Sequence, residues 1–198
     1  MTAPLYGLVL RGGKSRRMGR DKAALVYHEQ PEAERMFGLL ATVCERSYYS
    51  VAFGTPDQAH TIPDLEPDQG PVAGLRAAAR RFPDAAWLVV ACDMPRFDQA
   101  ALAELVAARN ARSASACSAA GGSTASFAAT AFIAGDGRPH PLAAIYEPAA
   151  QAAFEEGSPR RVLERIAQEQ ACAQFIPPSD PAWLESFDTP EQSAAFEG

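Results

Sequence analysis

A chain of 198 residues that is 47% hydrophobic and 21% charged can bury one substantial core and shows no compositional bias toward disorder. Its formal net charge of −6 disfavours general nucleic-acid binding, and no apolar run approaches the roughly 18 residues that a membrane span needs. The start of the chain lacks the basic and apolar regions of a secretory signal, so the expectation is a cytoplasmic protein with one domain over residues 1–198.

The apolar run Leu5–Leu10 reads as a buried strand that stops at Gly12-Gly13, where missing β-carbons permit a tight turn and let backbone N–H groups approach a ligand. From Arg11 to Lys22 the cations Arg11, Lys14, Arg16, Arg17, Arg20 and Lys22 face the single acid Asp21, so this stretch carries +5 on a chain whose remainder carries −11. Such a local reversal of charge points to a compact polyanion, most simply a nucleoside triphosphate. One ion contact at about 4 Å contributes roughly 4 kcal/mol at an effective dielectric near 20. The phosphate-loop pattern G-x-x-x-x-G-K-[ST] fails by one place, because Gly13 occupies the lysine position after Gly7 and Gly12. The dinucleotide pattern G-x-G-x-x-G fails as well, since Gly12 and Gly13 are adjacent and Gly19 comes six residues later.

Apolar residues at Met36, Phe37, Leu39, Leu40 and Val43 predict a helix over Pro31–Arg46, with Pro31 placed to start it. Ser50–Phe53, extending the group around Tyr48 and Tyr49, reads as a second strand that ends at Gly54-Thr-Pro. Asp57–Gln69 reads as an irregular loop, and Gly70-Pro-Val-Ala-Gly-Leu75 opens a helix that runs through Phe82. Ala86–Cys92 is a continuous apolar run, as expected of a central parallel strand buried on both faces. Asp93 then stands at its carboxyl end. Ligands of open α/β sheets bind outside the carboxyl ends of the strands, so Asp93 and the Gly12-Gly13 loop should face one crevice.

Asp98–Arg109 supplies another helix, with Asp98 as N-cap. Ala114–Ala134, around Gly121-Gly122, reads as two strands and a flexible loop. Pro139–Tyr146 reads as a short strand, Pro159–Gln170 as a helix and Ala171–Ile176 as a last strand. Thr189 is an N-cap candidate for a final helix after Pro190. Repeated β-α-β units predict an α/β fold, a Rossmann-like three-layer sandwich around a mainly parallel sheet with right-handed crossovers. Cys44, Cys92, Cys117 and Cys172 are scattered without a C-x-x-C, which predicts buried free thiols rather than a zinc site or disulfides; His28, His60 and His140 are equally dispersed.

Leu10-Arg-Gly-Gly-Lys-Ser-Arg-Arg-Met-Gly-Arg-Asp-Lys22 resembles the signature L-A-G-G-x-S-x-R-M-G-x-D-K of the MobA-like nucleotidyltransferases. Arg11 alone departs from it, standing where the family has Ala. Four further stretches are similar to family motifs and occur in the same order. Asp68-Gln-Gly-Pro-Val-Ala-Gly74 resembles an acid before G-P-L-A-G, Ala91-Cys-Asp-Met-Pro95 the C-D-x-P metal motif, and His140-Pro-Leu-Ala-Ala-Ile-Tyr146 the P-L-x-A-x-Y strand. Phe187-Asp-Thr-Pro-Glu191 resembles the terminal N-x-N-T-P-E-D, with Ser186 and Asp188 in place of two asparagines.

The resemblance implies a fold of the nucleotide-diphospho-sugar transferase type. It further implies transfer of GMP from GTP to the phosphate of molybdenum-bound molybdopterin, with release of pyrophosphate. Asp93 would hold Mg²⁺, which commonly takes one or two protein carboxylates and completes its octahedron with water and substrate phosphates. Lys22 would pair with phosphate oxygens, with Lys14, Arg16 and Arg17 sharing that role. Nucleotide recognition would fall to Leu10, Arg11, Gly12 and Gly13 and to a wall formed by Gly70, Pro71 and Gly74. The acid that reads the base maps to Asp68 or to Asp64. Contact with molybdoenzymes or their chaperones is a further implication of the resemblance. Three alternatives stay open: the related cytidylyltransferase, a nucleotidyltransferase acting on a sugar or polyol phosphate, and a non-catalytic nucleotide-binding relative.

Overall fold

In a computed structural model of the chain, residues 2–11, 28, 30–67, 69–114, 128–155, 158–170 and 173–187 are described. The first strand, β1 (Leu5–Leu10), has the expected bounds and is buried along nearly its whole length. Helix α1 (Glu32–Ala41) is shorter than the expected 31–46. Its end tightens, with the N–H groups of Thr42 and Val43 reaching back three residues to Leu39 and Leu40. The chain has to leave the helix there, because β2 (Arg46–Val51) already pairs with β1 at Arg46 opposite Tyr6. Strand two therefore begins well before the expected Ser50, and Phe53 lies outside it, exposed.

Inside the stretch expected to be irregular lies β3 (Thr61–Pro63). Three residues are too few to show a period, and Pro63 is tolerated because β3 is an edge strand. Helix α2 (Pro71–Arg81) and β4 (Ala86–Ala91, buried throughout) fall where the sequence puts them. Helix α3 (Gln99–Ala114) runs beyond Arg109 in an alanine-rich stretch that favours helix after the apolar periodicity fades. Asp98 caps it as expected, its Oδ1 accepting from the N–H groups of Ala100 and Ala101, both at 2.9 Å. Of the two strands expected over 114–134, β5 (Ala129–Ile133) is described, and residues 115–127 lie outside the described residues. Strand β6 (Pro139–Tyr146), helix α4 (Pro159–Gln170) and β7 (Ala173–Ile176) complete the regular elements. Two 3-10 segments, Pro148–Glu155 and Pro181–Leu184, have no counterpart in the sequence reading. The expected final helix after Pro190 falls outside the described residues.

The strands form one sheet in the order β3-β2-β1-β4-β6-β5-β7. All run parallel except β6, which is antiparallel to both β4 and β5. Helices α2 and α4 cover one face, around Leu8, Trp87, Tyr146 and Phe154, while α1 and α3 cover the other, around Val9, Leu88, Phe97 and Phe132. This is the three-layer sandwich that the pattern of elements predicts. Gly7 lets α1 come down on β1, since a Cβ there would lie 2.9 Å from Leu40 Cβ. At the far end of the sheet, buried Arg109 on α3 donates to Glu147 after β6 through Nε (2.6 Å) and Nη2 (3.1 Å), and also to the Ala3 carbonyl (3.0 Å). Among the described residues, no helix is long and apolar enough to cross a membrane.

Candidate active site

The strand order changes direction between β1 and β4: from β1 the chain goes to β2 and β3 on one side, then to β4 on the other. Such a switch point opens a crevice at the carboxyl ends of the strands. Leu10 and Ala91, the last residues of β1 and β4, are paired there, and Asp93 follows two residues later, half-buried. Helix α2 supplies the wall. Gly70 precedes it with φ +70°, a left-handed conformation that favours glycine, and Pro71 opens its first turn. Gly70 offers no side-chain cap, so the first-turn N–H groups keep the partial positive charge of a helix start.

Close packing fixes that wall against the strands. A Cβ on Gly74 would lie 2.3 Å from Ser50 Oγ and 3.1 Å from Leu10 Cδ2, so only glycine lets α2 approach the ends of β1 and β2. Ser50 Oγ in turn donates to Asp64 Oδ1 at 3.3 Å. Burial pushes the Asp64 carboxyl above the ordinary aspartate range, against the pull of the Ser50 hydrogen bond and of Arg76. Asp64 thus stands at the foot of the wall, whereas Asp68 lies outside the described residues.

The turn after β4 is held from several sides. Phe187 N–H donates to the Asp93 carbonyl at 2.8 Å, and His28 Nε2, which must carry its proton here, donates to the Pro95 carbonyl at 2.8 Å. Arg35 on α1 donates through Nη1 to the Phe97 carbonyl (2.8 Å) and through Nη2 to the Met94 carbonyl (3.3 Å). The same guanidinium is forked on Glu32, with Nε 2.9 Å from Oε2 and Nη2 bonded to Oε1. Glu32 is fully buried. Burial pushes its carboxyl up; Arg35 and His28 oppose the shift, and the neighbouring Asp93 carboxylate adds to it.

Arg11 is exposed at the end of β1, its guanidinium 5.0 Å from the centroid of the Tyr49 ring, which itself stacks on Phe37 at 4.7 Å. Of the residues singled out from the sequence, Leu10, Arg11, Gly70, Pro71, Gly74 and Asp93 are brought to this one end of the sheet. Gly12, Gly13, Lys14, Arg16, Arg17 and Lys22 lie outside the described residues. Glu32 and Arg35 were not singled out. Their signal is an acid directly after Pro31 with an arginine three residues on, which alone reads as an ordinary pair on one helix face.

Among the described residues, no group of three or more His, Cys, Asp or Glu side chains could enclose a metal ion. One half-buried aspartate at a crevice is a donor set that suits Mg²⁺, whose remaining positions go to water and substrate phosphates. Cys92 is buried as expected, but Cys44 is only half-buried, although burial still pushes its thiol up to about 12. A cavity of about 710 Å³ lies elsewhere, at the amino end of β2, lined by Phe37, Arg46, Tyr48, His60 and Arg81 among others. Phe37, one of its walls, is the ring that stacks on Tyr49.

A mainly parallel, doubly wound sheet with its crevice at the β1–β4 switch point defines an α/β fold of the nucleotide-diphospho-sugar transferase type. The chain belongs to the family of MobA-like NTP transferase domains, whose profile matches residues 7–173. A molybdenum cofactor biosynthesis bifunctional protein of Synechocystis is 40% identical over 109 residues, covering 52% of this chain and 31% of that protein. A molybdenum cofactor guanylyltransferase of Xanthomonas euvesicatoria is 40% identical over 105 residues, covering 52% of this chain and 54% of that protein. The chain thus spans about half the length, or less, of these curated relatives. Among solved structures, molybdopterin-guanine dinucleotide biosynthesis protein A of Archaeoglobus fulgidus superposes with TM-score 0.68 at 20% identity, over 97% of this chain and 96% of that one. A Mycobacterium tuberculosis protein solved as a manganese complex gives TM-score 0.60 at 15% identity, over 89% of each chain.

Proposed function

We propose that this protein is a cytoplasmic, single-domain enzyme that transfers GMP from GTP to the terminal phosphate of molybdenum-bound molybdopterin. An oxygen of the acceptor phosphate attacks the α-phosphorus of GTP and forms the new P–O bond. The bond from that phosphorus to the bridging oxygen breaks, and pyrophosphate leaves with the electron pair. The nucleophile is already an anion, so no general base is required, and the work of the protein is in-line positioning and charge neutralisation.

Each part of the chain has a task in this reading. The Leu10–Gly13 backbone and the Gly70–Gly74 wall seat the nucleoside, with Asp64 or Asp68 accepting from the base. Lys14, Arg16 and Lys22 bind the polyphosphate. Asp93 is the residue that would hold Mg²⁺, and the bound ion supplies neutralisation of the charge that develops on the phosphate oxygens. The observation that carries the reading is the juxtaposition of Asp93 with the end of β1, beside the Gly74 contact, in a chain of this family.

The test is a ranking of nucleotides. A ligand that binds only the folded state raises the melting temperature by mass action. GTP with Mg²⁺ is expected to raise it more than CTP, ATP or UTP, and pyrophosphate release should require both Mg²⁺ and a molybdopterin acceptor. A ranking led by CTP would move the assignment to cytidylyl transfer. Pyrophosphate release with a sugar phosphate but not with molybdopterin would replace the acceptor.

A further inference from the structure

The Glu32–Arg35 pair has a cost that packing alone does not justify. Glu32 is fully buried and the Arg35 side chain is only 12% exposed, and taking both charges out of water is offset only when every donor and acceptor finds a good partner. Apolar side chains would fill the same space at lower cost. The guanidinium, however, does two things at once. One edge is forked on Glu32, which fixes the plane of the group; the remaining donors reach the carbonyls of Met94 and Phe97. Those carbonyls bracket the turn that follows Asp93, and the turn is closed by its own Phe97 N–H to Met94 carbonyl bond at 3.0 Å.

We propose that Glu32 and Arg35 are positioning residues for Asp93: the buried carboxylate orients the guanidinium, and the guanidinium sets the turn from which Asp93 reaches the crevice. This rests on the reading of Asp93 as the Mg²⁺ ligand. The physical need is specific to that ion. Mg²⁺ demands a near-ideal octahedron with short bonds, so a ligand carboxylate displaced by a fraction of an ångström loses much of its affinity. A lone aspartate on an unsupported turn would spend much of its time out of place. His28 on the Pro95 carbonyl and Phe187 on the Asp93 carbonyl brace the same turn, but neither places a rigid planar group on two of its carbonyls, as Arg35 does.

Metal uptake, rather than activity, is the direct readout. The free-Mn²⁺ electron paramagnetic resonance signal is titrated against protein in the presence of a non-hydrolysable GTP analogue, and the uptake due to protein is compared across variants. Three proteins are needed: wild type, Asp93→Asn, and the double variant Glu32→Leu with Arg35→Met, which removes both charges so that neither is left stranded. The double variant is expected to melt within a few degrees of wild type, to take up Mn²⁺ at least about tenfold more weakly, and to need correspondingly more Mg²⁺ for half-maximal turnover. Its kcat at saturating Mg²⁺ should return to within about threefold of wild type, a split that general loosening of the fold would not produce. Wild-type Mn²⁺ uptake by the double variant, with uptake lost in Asp93→Asn, would overturn the positioning role and leave Asp93 as the ligand. Uptake unchanged in Asp93→Asn would overturn the metal reading, and the inference with it. Should the double variant not fold, Arg35→Lys keeps a cation opposite Glu32 but loses the planar fork on the two carbonyls, and is read in the same way: weakened uptake with kcat retained supports the role, and wild-type uptake overturns it.

Discussion

The Arg11 guanidinium lies 5.0 Å from the centroid of the Tyr49 ring, on the neighbouring strand at the mouth of the crevice. The MobA-like signature has alanine at this position, so the contact is an addition in this chain. An exposed cation on an aromatic face contributes about 0.5–1 kcal/mol. Arg11→Ala should therefore cost little stability. Burial pushes the Tyr49 phenol up and Arg11 opposes that shift, so the variant should move the phenol titration still higher in an ultraviolet difference titration. With one cation fewer at the mouth, GTP affinity should fall by about three- to tenfold, with kcat near wild type. Unchanged affinity would mean that the guanidinium serves Tyr49 alone.

Gly74 sits where α2 meets the strand ends, and Gly74→Ala would place a carbon 2.3 Å from Ser50 Oγ and 2.9 Å from Ser50 Cβ. The oxygen can rotate away, but the β-carbon moves only with the backbone. The expected cost is about 1–3 kcal/mol, read as a melting temperature lower by several degrees. Because the helix must lift at the wall, nucleotide affinity should fall as well. A variant that melts like wild type would show that α2 shifts freely.

Asp64 carries a pH signature. Its folded-state carboxyl holds a proton more tightly than an ordinary aspartate, so its contribution to stability is fully present below the ordinary value near 3.9 and is lost as pH rises through the raised value. Asp64→Asn keeps an oxygen to accept from Ser50 and removes the buried charge. The ligand-free variant should melt higher than wild type at pH 7–8, by up to about 3 °C after allowing for solvent screening at a half-buried site. That gain should shrink as pH falls toward 4. A gain that is independent of pH would assign the effect to packing.

Some of this site is legible in the sequence because the physics involved is local. A continuous apolar run marks Ala86–Ala91 as a central strand, Gly70-Pro71 announces the start of α2, and Asp98 is a cap by its position alone. Other parts depend on distance along the chain. Arg35 meets the Met94 and Phe97 carbonyls 59 and 62 residues away, a contact that no spacing within α1 discloses. The register of parallel strands that brings Arg11 beside Tyr49 is likewise set by the crossover helix rather than by either strand's own pattern. Strand β3 is too short to carry any period. The resemblance to the family implies a polyphosphate-binding role for Lys22 and the rest of the cationic loop.

Asp93 gives the most decisive substitution. Its carbonyl, not its carboxylate, accepts the Phe187 N–H, and the adjoining turn is fastened through the carbonyls of Met94, Pro95 and Phe97. Asp93→Asn leaves all of these backbone bonds available and keeps the shape of the side chain, so the variant should keep the fold. What it removes is the negative charge that the proposed function assigns to Mg²⁺ binding, and a neutral amide is a far weaker partner for a hard divalent cation. Turnover at limiting Mg²⁺ should fall at least a hundredfold, which corresponds to about 2.7 kcal/mol at 1.36 kcal/mol per decade. Raising Mg²⁺ should recover part of it if the loss lies in metal affinity, and none if the charge itself is needed in the transition state. Steady-state rates of pyrophosphate release across a Mg²⁺ titration separate the two cases. Activity within a few-fold of wild type at limiting Mg²⁺ would remove Asp93 from the metal site and send the search for a ligand to the acids on the opposite wall, of which Asp64 is the first to test.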